Sequence, residues 1–287
     1  MIEFARAAGE HSAACAPTTA GMHGLVNLRF GRRRDRTILL ASRVQAPMAL
    51  VRPFELADGR LVVQLVALGP GLCGGDTVHI DVVAEDGSEV LLTTTAATRV
   101  MTMEAGQRAE QHVHVRAGAG VSLEYYPALT IPFPASALLQ TLAIEACATA
   151  RIGLVEIWAL GRAARDEYLQ FRSLVSRTTL CVEGVCVYAD ALHLEPAADD
   201  VANAGVLEGR RYLAAGFFLG VDSVADAGSA PESERVDAVL AQSRPGLAYL
   251  RALADDAPAL ESAVQRSIGR VAEVWGRAPL RLDRFRC

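Results

Sequence analysis

Four carboxylates in this chain each interrupt a stretch that is otherwise small or apolar. Asp76 closes the glycine-dense turn Gly69–Asp76, where Gly69, Gly71, Gly74 and Gly75 permit positive φ or close backbone approach. Glu124 lies in Leu123-Glu124-Tyr125-Tyr126-Pro127, opposite an apolar face of Val121, Leu123 and Tyr125. An outward carboxylate is the plain reading there, and a buried one would need a partner. Glu156 is the single acid in the apolar run Ile152–Leu160, and Asp190 the single acid in Tyr188–Leu194. Burying a lone carboxylate is costly, so Glu156 is expected either to be paired, with Arg162 or Arg165 as natural partners, or to line something wet. An enzyme built from these parts would rely on paired carboxylates alone. The chain carries no nucleophile elbow or HExxH, and its glycine-rich turn lacks the Lys-Ser/Thr ending of a phosphate loop. His112 and His114 flank Val113, so in a strand they share a face that could take a divalent metal, but Arg116 on that face favours a solvated polar surface.

The elements that position these groups read as strands. In Thr77–Val83, Val78, Ile80 and Val82 alternate with Thr77, His79 and Asp81, and Val90–Thr95 follows after a turn at Glu85–Ser88. Arg60–Leu68 is continuously apolar, as in a strand covered on both faces. Similar runs recur every 8–15 residues through Leu194, with glycine or proline between them, which argues an all-β body over βαβ units. A sandwich, a large barrel and an irregular β-solenoid are not separable by this pattern. In Ala259–Trp275 the spacing of Leu260, Val264, Ile268, Val271 and Trp275 is helical, with Pro258 suited to the first turn. Pro245 is expected to open another helix, with Leu247, Leu250 and Ala254 on one face. The expected organisation is a flexible N-terminus (1–21), a β-rich body (22–220), and a loop with C-terminal helices packed on the body (221–287).

A net charge of −5 without a basic patch beyond Arg32–Arg36, itself a turn between strands, argues against nucleic acid. The apolar stretch Leu213–Val221 is too short for a bilayer. The first fifteen residues lack the apolar core of a secretory signal, so a cytoplasmic location is expected. The six cysteines form no CxxC pair. Cys181 and Cys186 flank a two-residue turn at Glu183-Gly184 and can face each other, though in a cytosolic protein they are expected to be reduced packing residues.

Ordered motifs carry a resemblance. Leu50-Val51-Arg52-Pro53-Phe54 resembles a VQRPF-like segment, Gly74-Gly75-Asp76 matches GGD, and Thr93–Val100 is similar to LTTPxATKxY. Leu123–Pro127 resembles LEWLP, with Ile131-Pro132-Phe133 after it, and Gly161-Arg162 with Glu167 matches GR followed by GE. From Gly24 to Trp275 the chain resembles the urease accessory protein D family (UreD). The resemblance implies a mainly β fold, a large stacked-sheet or β-helix-like body with a small C-terminal helical part, acting as a scaffold and not as an enzyme. It implies binding to a helical accessory protein (UreF), an indirect link to a nickel-carrying GTPase (UreG), and docking on apo-urease. It implies a water-filled passage for Ni²⁺ in transit, with no permanently bound cofactor. Asp76, Thr98, Glu156 and Asp190 take the passage positions, supported by Glu124, Arg162, Glu167, Gly74 and Gly75. Carboxylates, hydroxyls and water would hold Ni²⁺ weakly enough for release, unlike a closed thiolate or imidazole cage. The chain departs from the pattern in lacking a histidine before GGD, in Cys73, in Asp166 where GE has glycine, in Ala191 after Asp190, and in its terminus. The alternative from another class is a β-solenoid carbohydrate hydrolase, which needs an open cleft with two carboxylates about 5–10 Å apart.

Overall fold

The structure, a computed structural model, describes residues 21–198, 200–203, 205–224 and 236–285. The expected flexible N-terminus falls almost wholly outside the described residues, as does most of the loop expected after residue 221.

The chain opens with an antiparallel hairpin, β1 (His23–Arg33) and β2 (Arg36–Gln45), followed by β3 (Met48–Leu50), β4 (Phe54–Glu55) and β5 (Leu61–Ala67). It then shuttles between two sheets. β6 (Thr77–Ala84) enters the front sheet and β7 (Glu89–Thr94) the back sheet, with short β8 (Thr98–Val100) beyond it. β9 (Ala109–Ala117) returns to the front and β10 (Ser122–Tyr126) to the back, with short β11 (Thr130–Pro132) pairing β8. β12 (Ala137–Ala146), β13 (Arg151–Ala159) and β14 (Ser173–Val182) repeat the alternation, and β15 (Val185–Leu194) closes the front edge. β16 (Tyr212–Val221), β17 (Val236–Arg244) and β18 (Gly246–Ala254) extend the back sheet. The front order is β15-β14-β12-β9-β6-β1-β2, parallel from β14 to β1 and antiparallel at both edges. This is the stacked, β-helix-like body expected from the family pattern.

The period-two runs point one side chain set into the layer between the sheets. Val78, Ile80 and Val82 of β6 meet Val113 and Val115 of β9 and Leu142 and Ile144 of β12 there, in one core with Val63, Leu92, Leu123 and Leu154 of the back sheet. The back sheet is covered on its other face as well, by α1 (Ala257–Val274), which packs on β16 and β18. Strands with two covered faces must be apolar on both. Thus Val62, Leu91 and Val155 face the helix while their neighbours face the front sheet.

α1 is set by its own sequence. The Asp256 carboxylate caps it by accepting from the Ala259 amide at 2.8 Å, Pro258 occupies the first turn, and Leu260, Val264, Ile268 and Val271 are buried. Trp275 ends the stripe, its indole N–H donating to the Gly220 carbonyl at 2.9 Å.

The second helix expected from Pro245 is instead strand β18, paired with both β16 and β17. Leu247 faces the front sheet and Leu250 the helix, so the run is apolar because both faces are covered, not because one helical face is. Gly246 at φ +81 follows Pro245 in the turn between β17 and β18. The β body therefore runs past 220 to Ala254.

Replacing Ile268 by Ala should cost about 2–5 kcal/mol in a urea unfolding curve. Glu273→Ala on the exposed face should stay within about 0.5 kcal/mol. Equal effects would contradict the packing of α1.

Candidate functional site

Glu156 is 4% exposed and shares the inward phase of β13 with Leu154 and Trp158, between the sheets. Its partners come from the front sheet and are neutral. The Gln140 side-chain amide donates to Oε1, the Ser176 hydroxyl lies 3.4 Å from Oε2, and the Thr178 hydroxyl also bonds the carboxylate. No ion pair to Glu156 forms among the described residues. Burial, reinforced by the negative charge of Asp190, raises its pKa to about 8, against the smaller opposing pull of Ser176 and Thr178. At neutral pH this is a predominantly protonated, uncharged acid.

Glu156 and Gln140 border a largely enclosed cavity of about 120 Å³, with Thr98, Gln111 and Tyr125 also in its wall. That volume has room for several waters. It is far below the roughly 300–1,000 Å³ of a ligand pocket, so no sugar ring fits beside Glu156. The Trp158 indole N–H and the Ser136 hydroxyl are buried with no hydrogen-bond partner among the described residues, groups that water would satisfy. On the other side of Glu156, Thr178 lies in register with Asp190 of β15. Asp190 pairs with Arg251 of β18 at 2.5 Å, and Arg251 also reaches the Tyr188 hydroxyl at 3.4 Å. The Asp190 and Arg251 side chains are 26% and 39% exposed. A polar seam therefore runs from the enclosed cavity, past Glu156, to a partly open edge between the sheets. Among the described residues, no three His, Cys, Asp or Glu side chains gather into a metal-ligand set.

The other sequence candidates fall elsewhere. Asp76 does not border the cavity. Its two oxygens accept from the amides of Met22 at 2.8 Å and Cys73 at 2.7 Å, which pins the turn to the start of β1. Gly75 takes φ +86, and a Cβ on Gly74 would lie 2.1 Å from the Gln107 side chain, so both glycines serve that turn. Glu124 is not outward. It is 2% exposed on the helix side of the back sheet, paired with Arg60 at 2.8 Å and Arg277 at 3.4 Å. Arg162 does not pair with Glu156. It forms a two-pronged pair with Glu167 and lies 4.1 Å over the Phe133 ring. Glu156 points between the sheets, whereas Arg162 follows the end of β13 and meets the Glu167 carboxylate across the adjacent turn. His112 and His114 lie on the outer face of the front sheet. His112 bonds Thr141 at 2.8 Å and Glu110 at 3.2 Å and stacks on His79, while His114 approaches Asp81 and Glu145.

Gln140, Ser176, Thr178 and Arg251 escaped the sequence reading. A signal existed for the first three. Gln140 sits in phase with Leu138, Leu142 and Ile144, and Ser176 and Thr178 with Leu174 and Leu180, so each is a polar break in an inward apolar register.

Fold and site together define a two-sheet, β-helix-like scaffold with a polar seam through an apolar interior. The chain matches the model of the UreD urease accessory protein family over residues 22–286 and belongs to that family. It is 36% identical to the urease accessory protein UreD of Deinococcus radiodurans over 263 residues, which is 91% of this chain and 94% of that one. It is 40% identical to the urease accessory protein UreD 1 of Synechococcus sp. over 67% of this chain and 72% of that one. It is 31% identical to UreD of Herpetosiphon aurantiacus over 71% of each chain.

The raised pKa of Glu156 has a signed consequence. Below about pH 4.5 both folded and unfolded chains hold the proton, and between there and about pH 8 only the folded chain does. This group's contribution to stability is therefore full at low pH and lost as pH rises to about 8. Glu156→Gln should lack that slope, so its advantage over the native chain should widen by up to about 1.4 kcal/mol per pH unit across the window. Parallel stability curves from pH 5 to 8.5 would refute the assignment.

Proposed function

We propose that this protein is a non-catalytic scaffold in urease maturation, whose interior seam passes Ni²⁺ toward apo-urease. The observation that carries the reading is Glu156, held uncharged by burial and the nearby negative charge of Asp190, with only neutral hydrogen-bonding partners, beside an enclosed cavity and near a partly open edge. Family membership supports the maturation role. The partners are a UreF-like helical protein, through it a UreG-like GTPase, and apo-urease, and the setting is the cytoplasm. No helix of the described residues is long and apolar enough to cross a membrane.

In this reading Thr98, Glu156 and Asp190 lie along the route. The native chain keeps Glu156 protonated at rest, so the empty interior holds no unpaired buried charge. An arriving divalent cation displaces that proton and finds oxygen donors on separated strands. Spacing the donors along the seam lets the ion leave as readily as it enters. Arg251 holds Asp190 at the edge, and release of Asp190 from that pair would expose a carboxylate there. Asp76 has a different part. It sets the GGD turn and the docking of β1 and takes no part in transfer. The hydrolase alternative is not favoured, because the enclosed cavity beside Glu156 is too small for a saccharide.

The test is urease activation in cells carrying the whole accessory set, with co-purification of the UreF-like partner scored in the same samples. Glu156→Gln and Asp190→Asn should keep partner binding and lower activation severalfold. Asp76→Ala should instead reduce the amount of folded protein, because it strands two backbone amides. Normal activation by both seam variants at native protein level would rule the seam out as the route.

A further inference from the structure

We infer that Cys181 and Cys186 are an oxidisable dithiol at the tip of the β14–β15 hairpin, which takes a low-molecular-weight disulfide as its substrate and closes to a reversible cross-strand bridge. The hairpin geometry carries this. Glu183 and Gly184 both take positive φ, +49 and +78, as a two-residue type I′ turn requires. Val182 and Val185 flank that turn as the closing pair, so Cys181 and Cys186 face each other as the next pair. The next pair outward in such a hairpin is the non-hydrogen-bonded kind, whose Cα atoms lie about 4.5 Å apart with side chains on one face. That spacing is inside the span a disulfide needs. Burial raises the pKa of the Cys181 thiol, and the adjacent Cys186 thiol raises it further, which places the two side chains within electrostatic reach of each other. Cys186 is exposed, so it is not a packing residue, and its thiol reaches the Tyr188 carbonyl at 3.5 Å.

Access is provided for as well. Cys181 borders an open cleft of about 670 Å³ at the hairpin tip, of a size that admits a small molecule. Glu85, Glu145 and Glu183 stand in its wall against the single cation Arg116. The acidic wall favours a cationic or neutral disulfide over an anionic one. Cys147 borders the same cleft, as a competing thiol.

The chemistry closes without another reagent. The Cys186 thiolate attacks the small disulfide, forming a mixed disulfide and releasing one thiolate. Cys181 then gives up its proton and attacks the Cys186 sulfur, forming the Cys181–Cys186 bond and expelling the second thiolate. The two cysteines lose two electrons, the small disulfide gains them, and the two protons pass to the released thiols.

The reduced, full-length protein would be treated with cystamine under native conditions, blocked with an alkylating agent and digested with trypsin. Both cysteines fall in one peptide between Arg177 and Arg210, which contains no other cleavage site. The expected product is that peptide lighter by two hydrogens and unalkylated, formed severalfold faster with cystamine than with glutathione disulfide at low salt. Cys181→Ser should stop at a stable cysteamine adduct on Cys186, and Cys147→Ser should close like the native chain. The inference fails if both cysteines are alkylated, if each keeps its own adduct, or if Cys181 joins Cys147.

Discussion

A carboxyl group buried against a β-sheet can exist as the neutral acid or as an anion held by a matching cation, and this protein uses both solutions on opposite faces of the same sheet. Glu156 faces the front sheet and keeps its proton, with Gln140, Ser176 and Thr178 supplying neutral bonds. Glu124 faces the helix and is bound to Arg60, which is itself 2% exposed and also held by Asp58. Burial works against the Arg60 charge, but the Asp58 and Glu124 partners lift its pKa above the usual range. The two acids are in adjacent parallel strands, and what separates their fates is only which face each residue's phase selects.

The charged solution has an architectural use. Arg277 reaches both Glu124 and Glu89, and Arg60 approaches the Ala278 carbonyl, so the segment after α1 is drawn onto the strands beneath it. Gln64 adds a bond to the Phe285 carbonyl, and Gln265 of α1 bonds the Leu280 carbonyl and the Leu282 amide. Removing one member of such a cluster leaves the others buried and unpaired, which costs more than the pair ever contributes. The helix covers the outer face of the back sheet, and the ion cluster fixes the tail that follows it. On the inner face Glu156 keeps neutral partners, and the Arg251 cation at the edge is taken up by Asp190.

Much of the body was legible because period-two alternation and continuous apolar runs report directly on which faces are covered. The capped C-terminal helix was legible for the same kind of reason, a four-four-three-four stripe after Pro258. The segment from Gly246 to Ala254 was misread because a strand buried on both faces has no alternation, and its leucines then match a helical spacing by chance. At the site, the lone acids Glu156 and Asp190 were visible as chemical anomalies in apolar runs. Their partners were not, since Gln140 and Ser176 lie on other strands of the facing sheet and Arg251 lies 61 positions after Asp190. Proximity in sequence favoured Arg162 for Glu156, but Arg162 follows the end of β13 and is satisfied locally by Glu167.

Parallel strands of a two-sheet solenoid are tied on both sides, so chemistry that must open to solvent collects where the stack ends. The β14–β15 hairpin is that end of the front sheet, and it concentrates unlike functions at different heights. Its inward side chains, Ser176, Thr178 and Asp190, continue the polar seam, while its tip carries two facing cysteines. Between them the register slips, Leu180 pairing Tyr188 while Cys181 pairs Cys186, which leaves Val187 as the extra residue. A bulge locally increases twist and interrupts the ladder. The tip can therefore change its covalent state without shifting the register that fixes Asp190 opposite Thr178. An edge strand with only one neighbour is also the least constrained strand of a sheet. In this chain that edge is anchored to the back sheet through Asp190 and Arg251, so the same ion pair that borders the seam also limits how far the edge can open.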